Sequence, residues 1–459
     1  MRNRNQAARD QLVPVLARQA AVSATDLARS VGVSVPTLHR LLQELQGRVV
    51  VTGKARRTRY ALRRPLRGDP SELPLYEVDE AGRAELAATV ATIHPAGTWT
   101  NLADAGWPVP EESRDGWWGG LPYPLYDMRP QGYMGRQLAR AEHRQLGVSA
   151  DPQAWSDDDI LYVLSRSGPD VSGNLILGDP AYERWLQAKT APPRALEGAS
   201  VGPAYARLAE EAIAAGVPGS SAAGEFPKFT TLRELPGCQT PHVLVKFSGA
   251  DGSAAVQRWA DLLVCEHLAL ESAATMPDIA AARSRVLQHG GRTFLELERF
   301  DRHGLFGRSR LNTLEAINAA LLGDGSRDWT RLAGHLVRLG LLGPDDAQRI
   351  QHLWWFGRLI ANTDMHLDNL SFRPRGTLTL APTYDMLPML YAPLPGGEVP
   401  PRPFEPPLPL PPQRAAWTLA QQAALLFWDR AAQDARISEG FRDIAKANAR
   451  KLRELAEQI

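Results

Sequence analysis

Between residues 22 and 62 the apolar positions recur first with a helical period and then with a strand period. Leu27, Ala28 and Val31 lie on one helical stripe, with Ser23 as its N-cap, Asp26 three residues on, and Gly32 at the left-handed C′ position. Leu38, Leu41, Leu42 and Leu45 form the apolar face of a second helix that Ser34 caps, leaving Thr37, His39, Arg40 and Gln43 on the opposite face. VVVTGKARRTRYAL then reads as two β-prone runs around a turn carrying Lys54, Arg56 and Arg57, with Arg59 just beyond. This is the pattern of a winged helix-turn-helix over residues 1–67. A small helical hairpin with a solvated charge run is the plainer alternative. Pro14 falls inside the expected first helix, which should therefore kink or begin there.

Further along, HVLVKFSG reads as a buried apolar strand, and the SF and LTLAP runs as a strand pair around the turn RPRGT. The chain is helical from WTLAQQAALLFW onward. Between these lie residues 388–412, where 11 of 25 positions are proline, a composition that favours extended polyproline II. The stretch could shape a protein-substrate site or serve only as a connector.

Composition changes the picture in two places. The net charge of +1 hides a split: residues 1–67 hold 14 Lys/Arg against 3 Asp/Glu, a net of +11, so the remainder carries −10. A basic front end on an acidic body points to a polyanion, DNA, as a partner of residues 1–67 alone. Only 6 of the 52 basic residues are lysine, so Lys246, ending a buried apolar strand, suggests a task for a compact point charge. The first ten residues lack an apolar h-region, and no stretch approaches the ~18 apolar residues of a membrane span. The expectation is a cytoplasmic protein without a membrane partner. Cys238 and Cys265 are too few for a disulfide framework and lack metal-site spacing.

The chemistry concentrates in NTDMHLDNLSF, residues 362–372, and in the PTYDM run that follows. Asp364 and Asn369 are five apart, the spacing of the catalytic aspartate and the metal-binding asparagine in a kinase catalytic loop. Asp385 comes 21 residues after Asp364, beyond the strand pair, where a second metal-holding carboxylate belongs. Lys246 would meet nucleotide phosphates in the manner of V-A-I-K. Gly219, Ser220, Ser221 and Gly224 precede the β-prone FTTL as a candidate phosphate cover. A D-x-H-x-x-N run alone is also what a hydrogen-bonded surface loop looks like. Four elements in kinase order and at workable spacings set this one apart.

N-T-D-x-H-x-x-N-x-S-F, P-x-Y-D-M, LELERFDR and SAAGEFPK together resemble the HipA family of serine/threonine kinase toxins. PLYDMRPQGYMGRQL and LSRSGPDVSGNLILGD resemble that family's amino-terminal subdomain, so the likeness spans roughly residues 75–459. The winged front end resembles the YjjJ-like branch. The resemblance implies an α+β, two-lobed, protein-kinase-like fold behind the winged module. Its parts would be residues 68–195 as amino-terminal subdomain, 196–302 as kinase N-lobe and 303–459 as helical C-lobe.

The resemblance also implies ATP and Mg²⁺ as cofactors and assigns roles. Asp364 is the base, His366 a phosphate contact two residues on, Asn369 and Asp385 the metal ligands, and Lys246 the phosphate-binding lysine. Gly224 belongs to the nucleotide-binding loop, Glu298, Arg299 and Phe300 lie along adenine, and Ser221, with its neighbour Ser220, is the autophosphorylation acceptor. The glutamate to pair with Lys246 is not cleanly placed: gapless comparison puts Leu262 there, with Glu266 one turn later on the same face. Asp368 stands where the family often has a basic residue. The resemblance further implies a protein substrate, the class that includes aminoacyl-tRNA synthetases and other translation factors, and allows an antitoxin partner and a homodimer. Two other functions fit the same residues: a nucleotide-sensing DNA-binding regulator with an inactive kinase-like body, and a small-molecule kinase.

Overall fold

The computed structural model describes residues 2–168, 170–214 and 226–458, apart from the side chains of residues 2–5 and Arg56. Two compact units emerge, one of residues 1–78, 84–129 and 155–190, the other of residues 79–83, 130–154 and 191–459.

The first unit opens with helix α1 (Arg2–Leu16), strand β1 (Val22–Ser23), helices α2 (Ala24–Ser30) and α3 (Val35–Glu44), and strands β2 (Val49–Thr52) and β3 (Arg59–Leu62), the three strands pairing in the order β1-β3-β2. Ser23 caps α2 by accepting the Asp26 N–H at 3.1 Å, and Gly32 adopts φ +71°. Ser34 holds the N-cap position of α3, but its hydroxyl meets the Thr37 hydroxyl at 3.0 Å instead of a backbone N–H. Pro14 lies in the last turn of α1, so the helix neither starts there nor continues far beyond it. Leu12, Leu16, Leu27, Leu38, Leu41 and Leu42 pack with Tyr60 and Leu62 into one core.

Strand periodicity gives β3 a second duty. Tyr60 and Leu62 face the helices, so Ala61 points the other way, and with Val50 it is buried against Ala91 and Ile93. Those partners belong to or flank β5 (Ala84–Thr92), which sits between β4 (Leu73–Val78) and β6 (Thr98–Trp99) in a five-stranded sheet closed by β7 (Trp117–Trp118) and β8 (Leu175–Leu177). Backbone bonds from Arg64 N–H to Thr92 O and from His94 N–H to Leu62 O, both 2.9 Å, extend the contact. Arg64 clasps Asp158 and Arg67 meets Asp159, both acids on α4 (Asp157–Arg166), while Arg63 pairs with Glu72. This amino-terminal module of three helices and three short strands is thus built onto the five-stranded sheet rather than hung from a linker.

In the second unit, β9 (Lys228–Leu232), β10 (His242–Phe247), β11 (Ser284–His289) and β12 (Arg292–Glu298) form an antiparallel sheet in the order β11-β12-β10-β9. Val243, Val245 and Phe247 send one face of β10 into a core with Phe229, Phe294 and α5 (Val201–Ala214). Lys246, out of phase with them, points to the other face, where α6 (Ala254–Ala273) lies. A helical part follows, with α7 (Trp329–Arg338), α8 (Pro344–Leu359), α9 (Arg414–Gln433) and α10 (Glu439–Ala456), and a small hairpin of β13 (Ser371–Arg375) and β14 (Thr377–Leu380). Residues 362–370 connect α8 to β13, and Asp385 follows β14. The proline-rich stretch has almost no regular structure. It is tacked to the last helices, with Phe404 buried beside Trp428, its carbonyl accepting from Lys451 Nζ at 2.8 Å, and Pro407 O accepting from Trp417 Nε1 at 2.9 Å. Among the described residues no helix is long and apolar enough to cross a membrane, and both cysteines are free.

Candidate active site

Lys246 is 3 % exposed and Glu266 fully buried. The ammonium donates to both oxygens of Glu266, at 2.7 and 2.8 Å, and also contacts Asp385 Oδ1. Leu262 is packed in the core. The turn of helix that separates these two positions is what carries the carboxylate to the lysine.

One cation between two carboxylates in a dry place cannot satisfy both equally. Burial works to lower the Lys246 pKa, but the charges of Asp385 and Glu266 more than reverse it and hold the ammonium above its ordinary range. Burial pushes the Glu266 carboxyl up despite Lys246. Asp385 resists its own burial and is held down, by Lys246 first and Lys228 second. Lys228 adds a second cation beside Asp385, whereas Glu266 has only Lys246 against its burial, so Asp385 is the carboxylate that keeps its charge more easily.

The loop after α8 brings the other candidates together. Asn369 Nδ2 donates to the Asp364 carbonyl at 2.7 Å. That leaves its Oδ1 as the atom available to a hard cation. His366 stands between carboxylates, Nδ1 3.5 Å from Asp368 and Nε2 3.9 Å from Asp364. The hydrogen bond to Asp368 raises its pKa, burial opposes, and the charges of Asp364, Asp368 and Asp385 add to the rise. The extra acid at position 368 is therefore turned toward His366.

No cluster of three or more His, Cys, Asp or Glu side chains at metal-binding distance occurs among the described residues. The available donors, one amide oxygen and one carboxylate, suit magnesium, which keeps waters and takes phosphate oxygens instead of a full protein cage. The residues present fit that ion.

Glu298 and Arg299 make several local bonds. The Glu298 carboxylate accepts the Gln239 N–H at 2.7 Å, the Glu298 N–H goes to Arg283 O and the Arg299 N–H to His242 O, while the Arg299 guanidinium pairs with Asp301 at 3.0 Å. The Phe300 ring lies 5.7 Å from that of Tyr384, the residue before Asp385. Ser220, Ser221 and Gly224 lie outside the described residues, as does the Arg56 side chain.

Several residues at the site were not singled out by sequence reasoning. Lys228 stands directly opposite Lys246 across β9 and β10. Trp329, fully buried, donates Nε1–H to His366 O at 3.2 Å. The Tyr384 hydroxyl donates to Asp368 O at 2.6 Å and is 2.6 Å from Ser371 Oγ. Asn362 bonds to the backbones of both Asp364 and Asp385. Asn362 and Tyr384 lie inside the NTD and PTYD runs and could have been suspected. Nothing local marks Trp329.

In the amino-terminal module His39, Arg40, Gln43, Lys54 and Arg57 are exposed, and Thr37 and Arg59 half-buried. His39 Nε2 lies 3.4 Å from the Tyr60 hydroxyl. Arg40, Lys54, Arg57 and Arg59 make no ion pair among the described residues, in contrast to Arg63, Arg64 and Arg67.

Residues 69–186 match the family described as YjjJ-like toxin, middle domain, and residues 220–458 the HipA-like C-terminal domain. Toxin YjjJ of Escherichia coli (strain K12) is 37 % identical over 441 residues, covering 95 % of this chain and 96 % of that protein. Among solved structures, a chain of the Shewanella oneidensis MR-1 complex of HipA, HipB and operator DNA aligns over 82 % of this chain and 95 % of its own, at 16 % identity and TM-score 0.49. The Helicobacter pylori proinflammatory kinase CtkA aligns over 57 % and 91 %, at 10 % identity and TM-score 0.32.

Proposed function

Because this chain belongs to the HipA-like toxin family, in its YjjJ-like branch, we propose that it is an ATP- and magnesium-dependent serine/threonine protein kinase that also binds DNA through its winged module. The observation that carries the reading is the buried Lys246, held by Glu266 and Asp385 on one side of a site whose other side is the Asp364–Asn369 loop.

In this mechanism Asp364 accepts the proton of a substrate hydroxyl as the oxygen attacks the γ-phosphorus and the bond to the β-phosphate oxygen breaks. Lys246 stays charged, because its two carboxylates hold its pKa up, and places a point charge on the phosphates. Glu266 keeps that ammonium in place when Asp385 turns to other work. Asn369 and Asp385 would hold magnesium, which when bound offsets the charge on the phosphate oxygens. Phe300, beside Tyr384, would line the adenine end.

The DNA reading rests on Arg40, Lys54, Arg57 and Arg59, which make no ion pair among the described residues, and on the +11 charge of residues 1–67. An antitoxin and a protein substrate, of the translation-factor class or another, are further partners under this proposal.

The deciding experiment is intact-mass and phosphosite analysis of the unphosphorylated protein after incubation with Mg²⁺ and ATP, beside Asp364→Ala and Asp385→Ala. Phosphate on Ser220 or Ser221 in the wild type alone is the expected result. Nucleotide binding without any incorporation would instead favour the nucleotide-sensing regulator or a small-molecule kinase.

A further inference from the structure

We propose that Asn362 is a positioning residue that sets the spacing between the base loop and the metal-side carboxylate, an inference that rests on the kinase reading. Its side chain uses both ends of the amide: Oδ1 accepts the Asp364 N–H at 3.0 Å, and Nδ2 donates to the Asp385 carbonyl at 3.3 Å. Both partners are backbone groups, one only a donor and the other only an acceptor, so the orientation of the amide is dictated by them. Asn362 is itself fixed, 7 % exposed, with its N–H bonded to Gly357 O at the end of α8.

The position of the brace matters because Asp385 sits at φ +53°, a left-handed conformation that a residue other than glycine holds only when its surroundings determine it. The Asn362 donor fixes the direction of the Asp385 carbonyl, and with it the carboxylate on the same residue. At the far end of the loop the Tyr384 hydroxyl ties Asp368 O to the residue just before Asp385. The two struts therefore fasten the loop at both ends to Asp385 and the residue before it. Aspartate at 362 would keep an acceptor but lose the donor and face a carbonyl with a carboxylate. Alanine would lose both bonds.

The test measures ADP affinity by calorimetry with and without Mg²⁺, together with single-turnover phosphoryl transfer, for the wild type, Asn362→Ala and Asn362→Asp, with thermal midpoints as the folding control. The expected result is metal-free ADP binding within about twofold of wild type, loss of the gain in affinity that Mg²⁺ confers, and transfer slowed about a hundredfold in both variants. An unchanged magnesium gain, or metal-free binding that falls in step with transfer, overturns the brace. Tyr384→Phe, which deletes one hydroxyl from the other strut, should show the same pattern in milder form, and an unchanged magnesium gain there also counts against it. The kinase reading fails differently: the wild type itself would bind ADP without a magnesium gain and transfer nothing.

Discussion

His366 lies between Asp364 and Asp368 and is about half exposed. Because its folded-state pKa is raised above the ordinary histidine value of 6.5, its pairings contribute stability that is fully present below about pH 6.5 and lost as pH rises through the raised folded value. We expect its imidazole to titrate above 6.5 by NMR, and Asp368→Asn to bring the midpoint down. The stability gap between wild type and His366→Asn should be wider near pH ~6 than near pH ~8. A midpoint at or below the ordinary value would show that Asp368 does not act on this ring. At the same scale, Asp364, His366 and Asn369 could be picked out because their spacing is local. Glu266 could only be narrowed to one helical face, since which turn reaches Lys246 depends on how α6 lies on the sheet.

Strand β3 serves two cores, and this changes what the amino-terminal module is. Sequence pattern marked VVVTGKARRTRYAL as two β-prone runs but had no means of telling which side chains face the helices or what covers Ala61 and Val50. Full burial of a Val or Ile side chain contributes about 1.5–3 kcal/mol, and the packing of Val50 with Ile93 is reinforced by Arg64–Asp158 and Arg67–Asp159. Removing residues 1–67 would uncover Ile93 and Ala91 and leave two acids on α4 without their cations. The shortened chain should therefore melt several degrees below the full one and aggregate more readily. Equal thermal midpoints would mean that the docking contributes nothing. The proline-rich segment is another element whose place was unreadable from composition: Phe404, Pro407, Trp417 and Lys451 pin it to the last two helices, while Leu408 and Leu410 are exposed.

For the whole molecule, the split of +11 against −10 survives folding only in part. Arg63, Arg64 and Arg67 are committed to internal pairs, as are Arg9 and Arg29, while Arg40, Lys54, Arg57 and Arg59 make no ion pair among the described residues. DNA affinity should fall steeply with salt, and Arg40→Ala, Lys54→Ala and Arg57→Ala combined should flatten the log–log slope by about 0.9 for each phosphate that is no longer neutralised. This substitution tests the face without disturbing the docked core, which deletion of the module would not. A slope that the triple variant leaves untouched would place any DNA-binding surface elsewhere.

By itself the sequence determined the periodic elements, the order of the kinase-like motifs, the basic front end and the family. All of these follow from residues close together along the chain, where helix and strand geometry relate neighbours directly. Only the tertiary structure decided that Glu266 meets Lys246, that Asp368 turns to His366, that Arg64 is neutralised by an acid 94 residues away, and that Asn362 joins the backbones of Asp364 and Asp385. Those pairings depend on packing between distant segments, in which a single side chain is chosen by shape and by the cost of leaving a buried charge or amide unsatisfied.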